Sequence, residues 1–184
     1  MNQDYLSLEA SLAESICAYF YRKHGYMVQP FGIETIVGNA FYFLDVKNHE
    51  DTKKKAMPII HRCMTMPGFL VIKPSKNNGI QETYLVEAKY RTYKDYKEFQ
   101  QAYIKDGDGE LKKTATKYLN LWGTLYMFII VKFAYNNSVH IYYDTAQNIS
   151  DGYLHGLDYV DSTRKWINKE IREEIVAQCQ KIFG

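Results

Sequence analysis

The sequence is poor in cysteine: Cys17, Cys63 and Cys179 are odd in number and widely separated along 184 residues. That spacing suits reduced, buried thiols better than a disulfide framework or a zinc site, and no motif singles out a catalytic cysteine. Long hydrophobic runs are missing as well. Nothing approaches 18 consecutive apolar residues, and the opening MNQDYLSLEASLAES has no basic stretch followed by an apolar one, so neither a membrane-spanning helix nor a secretory leader is expected. This reading places the protein in the cytoplasm with no membrane partner. Charge of one sign is also scarce. Lys and Arg number 23 against 21 Asp and Glu, a net charge of +2 with a pI near 8.3. A nucleic-acid partner therefore requires a local basic patch, because the overall balance does not supply one. No glycine-rich loop follows a strand in the manner of a nucleotide-binding turn, and neither G-x-S-x-G nor H-E-x-x-H is present. His24, His49, His61, His140 and His155 are scattered without metal-ligand spacing.

What remains is the composition of an ordinary globular chain, 46% hydrophobic and 24% charged, with an unusual 17 Tyr and 9 Phe. Its length suits one domain, residues 1–184, with a single sizeable core. A helix is predicted from Ser7 to His24, where Leu8, Leu12, Ile16 and Phe20 recur every four residues and Gly25 follows. YMVQPFGIETIVG and AFYFLDV read as extended, and Pro58 ends any short helix in the polar stretch after them. GFLVIK, residues 68–73, suits a buried strand. PSKNNGIQ has turn chemistry, and ETYLVEAKYR forms the second arm of a hairpin. Helices are expected over 94–104 and 110–122. The strands LYMFIIVKFA and HIYYD come next, joined through YNNS. A C-terminal helical extension is expected over about 161–184, capped by Asp161 or Ser162 and striped by Ile167, Ile171, Ile175 and Cys179. The order predicts an α/β domain whose mixed sheet is flanked by helices.

One strand carries the chemistry. In ETYLVEAKYR, Glu87 and Lys89 lie two residues apart, so a carboxylate and an ammonium project side by side from one face while Val86 and Ala88 project from the other. On an exposed strand this is a simple ion pair. On a buried face both charges are costly unless they hold a metal, a substrate or each other.

MPGFLVI, a turn and ETYLVEAK together resemble the core hairpin of the PD-(D/E)XK nuclease superfamily, in which Pro-Asp leads one strand and Glu-x-Lys lies in the next. Pro67 and Glu87-Ala88-Lys89 match that pattern, and Gly68 stands where Asp is expected. AESICAYFYRKHGYMV is similar to the opening helix of archaeal Holliday junction resolvases, where a helical Glu precedes a Gly-aromatic pair, here Glu14 and Gly25-Tyr26. WGTLYMFIIVKF, residues 122–133, resembles a later strand of the same enzymes. The resemblance spans residues 8–133.

The resemblance implies a restriction-endonuclease-like core and a metal-dependent DNA endonuclease that hydrolyses phosphodiester bonds, with DNA favoured over RNA and a homodimer as the assembly. It implies Mg²⁺ or Mn²⁺ held by Glu87, the backbone carbonyl of Ala88 and Glu14, with Lys89 stabilising developing phosphorane charge or positioning the attacking water. Glu9 competes with Glu14, since it lies within the apolar stripe of the first helix. Gly68 supplies no ligand. Three explanations stand: a catalytically degenerate nuclease fold that binds nucleic acid or serves as an assembly subunit, a migrated acid among Asp45, Glu34 and Glu82, or a substitution in this sequence. Of these acids, Glu82 lies five residues from Glu87 and so faces the opposite side, whereas Asp45 sits within an apolar run. The nucleic-acid surface is expected at Arg91, Lys94 and Lys97, interleaved with tyrosines, and at Lys113 and Lys117, one turn apart on a helix. Lys53, Lys54, Lys55 and Lys112 add further basic groups. A module contacting an acidic protein partner is the third functional class that these basic groups admit.

Overall fold

The computed structural model describes residues 3–31, 66–75, 80–104, 109–159 and 164–184. Ten elements are formed from them: α1 (Gln3–Lys23), β1 (Met27–Pro30), β2 (Phe69–Pro74), β3 (Ile80–Tyr93), α2 (Tyr96–Tyr103), α3 (Glu110–Trp122), β4 (Tyr126–Phe133), β5 (Ser138–Thr145), α4 (Ala146–Ser150) and α5 (Lys169–Phe183). The strands make one five-stranded mixed sheet in the order β1-β2-β3-β4-β5. β1 with β2, β2 with β3, and β4 with β5 run antiparallel, whereas β3 and β4 are parallel. A parallel neighbour requires a crossover, and α2 and α3 provide it.

Period-two alternation divides the sheet's side chains between two layers. Val86, Ala88 and Tyr90 of β3 join Phe128 and Ile130 of β4 and Val139, Ile141 and Tyr143 of β5. Against them pack Ala13, Ile16, Cys17, Phe20 and Tyr21 of α1 and Ile175, Cys179 and Phe183 of α5. The opposite layer gathers Tyr93, Met127, Ile129, Val131 and Phe133 with Phe99 and Ala102 of α2, Leu111, Ala115 and Tyr118 of α3 and Ile149 of α4. Buried on both faces, β4 explains why LYMFIIVKFA reads as a nearly unbroken apolar run. At about 1.5–3 kcal/mol for each fully buried large aliphatic or aromatic side chain, these layers supply the main drive to fold. The four-residue spacing in α1 is real, although Leu8 at its start is exposed. Gly25 ends the helix at φ 80°, a left-handed conformation that glycine adopts without penalty.

Three local features depart from expectation. The C-terminal helix starts at Lys169, where the Asn168 side chain accepts hydrogen bonds from the backbone N–H groups of Glu170 and Ile171. The preceding segment is diverted because Arg164 is buried against Asp144 and the Trp166 ring lies among those of Phe20, Tyr21, His24 and Tyr26. Asp161 and Ser162 lie outside the described residues. The short helix α4, capped by the Thr145 hydroxyl, was not anticipated. β3 is longer than ETYLVEAKYR and runs to Tyr93. Expected strands over residues 32–46 and the segment ending at Pro58 also lie outside the described residues, as do Cys63, Lys53, Lys54 and Lys55. Cys17 and Cys179 are free and buried. Among the described residues, no helix is long and apolar enough to cross a membrane.

Candidate active site

The antiparallel register of β2 and β3 pairs Phe69 with Val86, which sets Gly68, just before β2, beside Glu87. The Gly68 backbone N–H donates to Glu87 Oε2 at 2.8 Å. Lys89, the next residue on the same face of β3, brings its ammonium onto Glu87 Oε1. Glu87 is only 6% exposed, so this is a buried carboxylate whose charge is balanced by the chain's own lysine, the arrangement that makes such burial tolerable.

Alternation carries both side chains toward α3, where Tyr118 receives them. The Tyr118 hydroxyl lies within electrostatic reach of Glu87, and Lys89 Nζ sits 5.7 Å from the centre of its ring, within cation–π range. Burial, and next the nearby Glu87 charge, push the Tyr118 hydroxyl's pKa upward. The phenol is therefore neutral at physiological pH.

Glu14, from the opening helix, bears on the same place. Its charge acts on Tyr118 and on the buried Cys17 thiol, the two groups on which Glu87 also acts. The Cys17 pKa is raised first by burial and then by Glu87 and Glu14, so this thiol is inert and uncharged. Glu9 is occupied elsewhere, hydrogen-bonded to Tyr90 in the other layer. Of the two helical acids, Glu14 is the one whose charge acts on the same groups as Glu87.

Among the acids considered for the missing aspartate, Glu82 is exposed, accepts from the Tyr84 hydroxyl and pairs with Lys73, away from Glu87. Glu34 and Asp45 lie outside the described residues. A Cβ built on Gly68 would lie 3.8 Å from Glu87 Oε2, an ordinary van der Waals distance. Position 68 thus has both the room and the direction for a second carboxylate, and glycine leaves it without one. Among the described residues, no group of three or more His, Cys, Asp or Glu side chains is arranged to hold a metal ion. No protein-family model, curated protein or solved structure matches the chain. The reading of this site therefore rests on its own geometry.

Mg²⁺ is commonly held by one or two carboxylates, with waters and substrate phosphates completing its shell. Glu87, Glu14 and the Ala88 carbonyl are oxygen donors of that class, and the Cys17 thiol on α1 is protonated and buried.

The basic residues divide. Lys94, Lys97, Lys113 and Lys117 are exposed on α2, α3 and the turn before them. Arg91 does not join that surface as expected, because its guanidinium is taken up by Glu110 at the start of α3 and by the Tyr90 carbonyl. Of the interleaved aromatics, Tyr90, Tyr93 and Phe99 are buried and Tyr96 is exposed.

Sequence reasoning missed two groups. Tyr118 occupies an unremarkable helical position, and nothing in the spacing links it to a strand residue 31 places earlier. Asp144 of β5 aligns with Met127 of β4, which aligns with Glu87, so the two buried acids share a row of the sheet. The Asp144 carboxylate is committed: Arg164 Nη2 lies 3.1 Å from Oδ1, His155 Nδ1 lies 2.6 Å from Oδ2, and the Asn148 amide donates to Oδ1 at 2.7 Å. Asp144 anchors the segment after α4 to the sheet and is not available to replace the acid that Gly68 lacks.

Proposed function

We propose that this chain is a PD-(D/E)XK-type, metal-dependent endonuclease acting on DNA in preference to RNA, with Glu87, Lys89 and Glu14 as its working groups. The observation that carries the reading is the junction of Gly68, Glu87 and Lys89: the Pro-x start of one strand is bonded to the carboxylate of the Glu-x-Lys strand, and the motif lysine lies on that carboxylate. Glu87, Glu14 and the Ala88 carbonyl would hold Mg²⁺ or Mn²⁺. Such an ion supplies positive charge at the scissile phosphate and lowers the pKa of a water bound to it.

The chain's own residues do the rest. Lys89 presents a cation that the phosphate can engage, stabilising charge that develops on its oxygens. The Gly68 N–H fixes the orientation of Glu87. Lys94, Lys97, Lys113 and Lys117 neutralise backbone phosphates along α2 and α3, so binding weakens steeply with salt.

A second reading is favoured by one observation. With glycine at 68 and both Glu87 oxygens engaged by groups of the chain, a nuclease fold that binds nucleic acid without cutting, or serves as an assembly subunit, needs no metal at all. One assay separates the two. The parent, Glu87→Ala, Lys89→Ala and Gly68→Asp are incubated with Mg²⁺ or Mn²⁺ on supercoiled, linear, single-stranded and four-way-junction DNA, with RNA alongside. Cleavage by the parent that both alanine variants abolish is the expected result. Binding without cleavage by any form overturns the enzyme reading, and no binding by any form overturns both.

A further inference from the structure

The sheet ends at β5, and an edge strand offers its outward backbone N–H and C=O groups to whatever lies beside it. On β5 those groups belong to Val139, Ile141 and Tyr143, which alternate with the residues bonded to β4. At one end the edge is closed by the segment after α4: the Tyr143 N–H donates to the His155 carbonyl at 3.0 Å and the Leu157 N–H donates to the Ile141 carbonyl at 2.8 Å. The chain then turns away. At the other end a side chain closes the edge. Gln180 of α5 accepts from the Val139 N–H at 2.9 Å and donates to the Asn137 carbonyl at 3.0 Å. Between these closures, the Ile141 N–H and the Val139 carbonyl have no partner among the described residues. They open into a groove of about 730 Å³ between β5 and α5, within the span of about 300–1,000 Å³ usual for ligand sites.

The chemistry of the groove indicates its occupant. On the α5 side it is apolar, with Val176 and Ala177 beside Val139 and Ile141, and Val176 is 38% exposed. The Gln180 carboxamide bonds to the edge as one residue of a parallel strand does, donating to one carbonyl and accepting from the N–H two residues on. Two residues further along such a strand, an N–H reaches the Val139 carbonyl and a carboxyl oxygen reaches the Ile141 N–H. The strand stops there, because Leu157 already holds the Ile141 carbonyl. A chain that ends at this point ends in a carboxylate. Arg172 lines the same end of the groove, its guanidinium 3.4 Å from the Asp158 carbonyl. The two acids beside it are turned elsewhere: Glu173 lies 3.8 Å from Lys169, and Asp158 Oδ1 lies against Gly156. Arginine and a carboxylate make one of the stronger pairings available to a protein.

We propose that the groove between β5 and α5 binds the C-terminal peptide of a partner protein as a short parallel strand, its carboxylate held by the Ile141 N–H and Arg172. Main-chain bonds give such a complex its affinity, and alternate side chains give it selectivity. The penultimate side chain lies on the Val139 side of the strand, against Val176 and Ala177, and is apolar. The last side chain lies on the other side, beside His140 and Tyr142. The incoming backbone replaces the Gln180 carboxamide, which otherwise keeps the edge from indiscriminate pairing. This inference is independent of the nuclease reading, because the groove shares no residue with the Glu87 site.

The test uses the full chain and a pool of N-terminally labelled hexapeptides randomised over their last three residues. Peptides retained by the chain are then measured singly by fluorescence anisotropy. The expected ligands carry Val, Ile, Leu or Phe at the penultimate position, and converting their carboxylate to a carboxamide weakens binding roughly tenfold or more, as loss of a charged hydrogen-bond partner does. Arg172→Gln should weaken binding to a similar degree, Val176→Glu should abolish it, and Gln180→Ala, which removes the competing amide, should bind at least as tightly as the parent. The ¹⁵N–¹H resonance of Ile141 should move downfield on saturation. A pool from which nothing is retained overturns the proposal, and so do ligands that bind equally well as carboxamides or leave the Ile141 resonance in place. Self-association of the parent that Val176→Glu abolishes, with no peptide bound, assigns the groove to a second copy of the chain and overturns it as well. The carboxylate comparison is made on the unaltered chain, so it does not depend on any variant folding.

Discussion

Replacing Gly68 by aspartate tests the geometry of the site directly. The backbone at 68 does not need glycine for its conformation, and a Cβ there meets only Glu87 Oε2 at 3.8 Å and the Val86 carbonyl at 4.0 Å. The substitution therefore adds charge without a steric clash. Two carboxylates roughly 5 Å apart at an effective dielectric near 20 repel by about 3 kcal/mol. Partial exposure of position 68 and the neighbouring Lys89 reduce this to about 1–3 kcal/mol. Stiffening the unfolded chain returns about 0.4–1 kcal/mol. In EDTA, Gly68→Asp should thus be less stable than the isosteric, uncharged Gly68→Asn by about 1–3 kcal/mol, or roughly 2–12 °C in Tm for a chain of this size. Adding Mg²⁺ or Mn²⁺ should reverse the order. An ion present at about a thousand times its Kd stabilises by about 4.1 kcal/mol, enough to lift Gly68→Asp above Gly68→Asn. Thermal denaturation of both variants, in EDTA and in divalent cation, decides the matter. Equal melting of the two in EDTA, with no gain from the metal, would refute the claim that position 68 points at Glu87.

The parts of this fold that were legible in sequence are those set by short-range periodicity. Alternation places Glu87 and Lys89 on one face of β3, and the structure seats the ammonium on the carboxylate. The apolar run at 126–133 became a strand buried on both sides, which has no polar face to display, whereas the run at 69–74 buries Phe69 and Val71 on one face and leaves Leu70 and Ile72 half-buried on the other. What was not legible depends on partners distant in the chain. Arg91 reads as a surface cation until Glu110, nineteen residues on, claims it. Arg164 reads as part of a helix until Asp144 draws it beneath the sheet edge, and a lone Asn168 then sets where α5 can begin. Tyr118 is the clearest case. It shares the buried face of α3 with Leu111 and Ala115, but whether a buried tyrosine meets aliphatic carbon or an ion pair is settled by the crossover that brings α3 to β3. The missing acid was legible at once as Gly68. A replacing acid was not legible, because Glu34 and Asp45 lie far from Gly68 in the chain and local periodicity does not reach across that separation.

Two further consequences concern stability. Asp144→Ala removes the counter-charge of Arg164, which is 4% exposed, and should cost about 3–5 kcal/mol in urea denaturation, whereas the double change Asp144→Leu, Arg164→Met should recover most of the loss. A loss below about 1 kcal/mol for the single change would show that Arg164 is not held by this carboxylate. The second concerns His24, which links α1 to the start of α5: its Nδ1 is hydrogen-bonded to the Phe20 carbonyl and its Nε2 accepts from the Asn168 N–H. Only the neutral ring can accept at Nε2, and burial lowers its pKa below the ordinary value. The unfolded chain therefore binds the proton at a higher pH than the folded one. The contribution of His24 is fully present above the unfolded pKa of about 6.5 and is lost as pH falls from there toward the folded pKa. Relative to His24→Leu, the parent's stability advantage should shrink between pH 7 and pH 5, when the pair is compared by urea denaturation at each pH. An advantage that stays constant across that window would mean the imidazole keeps its proton count on folding, and the Asn168 bond could not then be what joins the two helices.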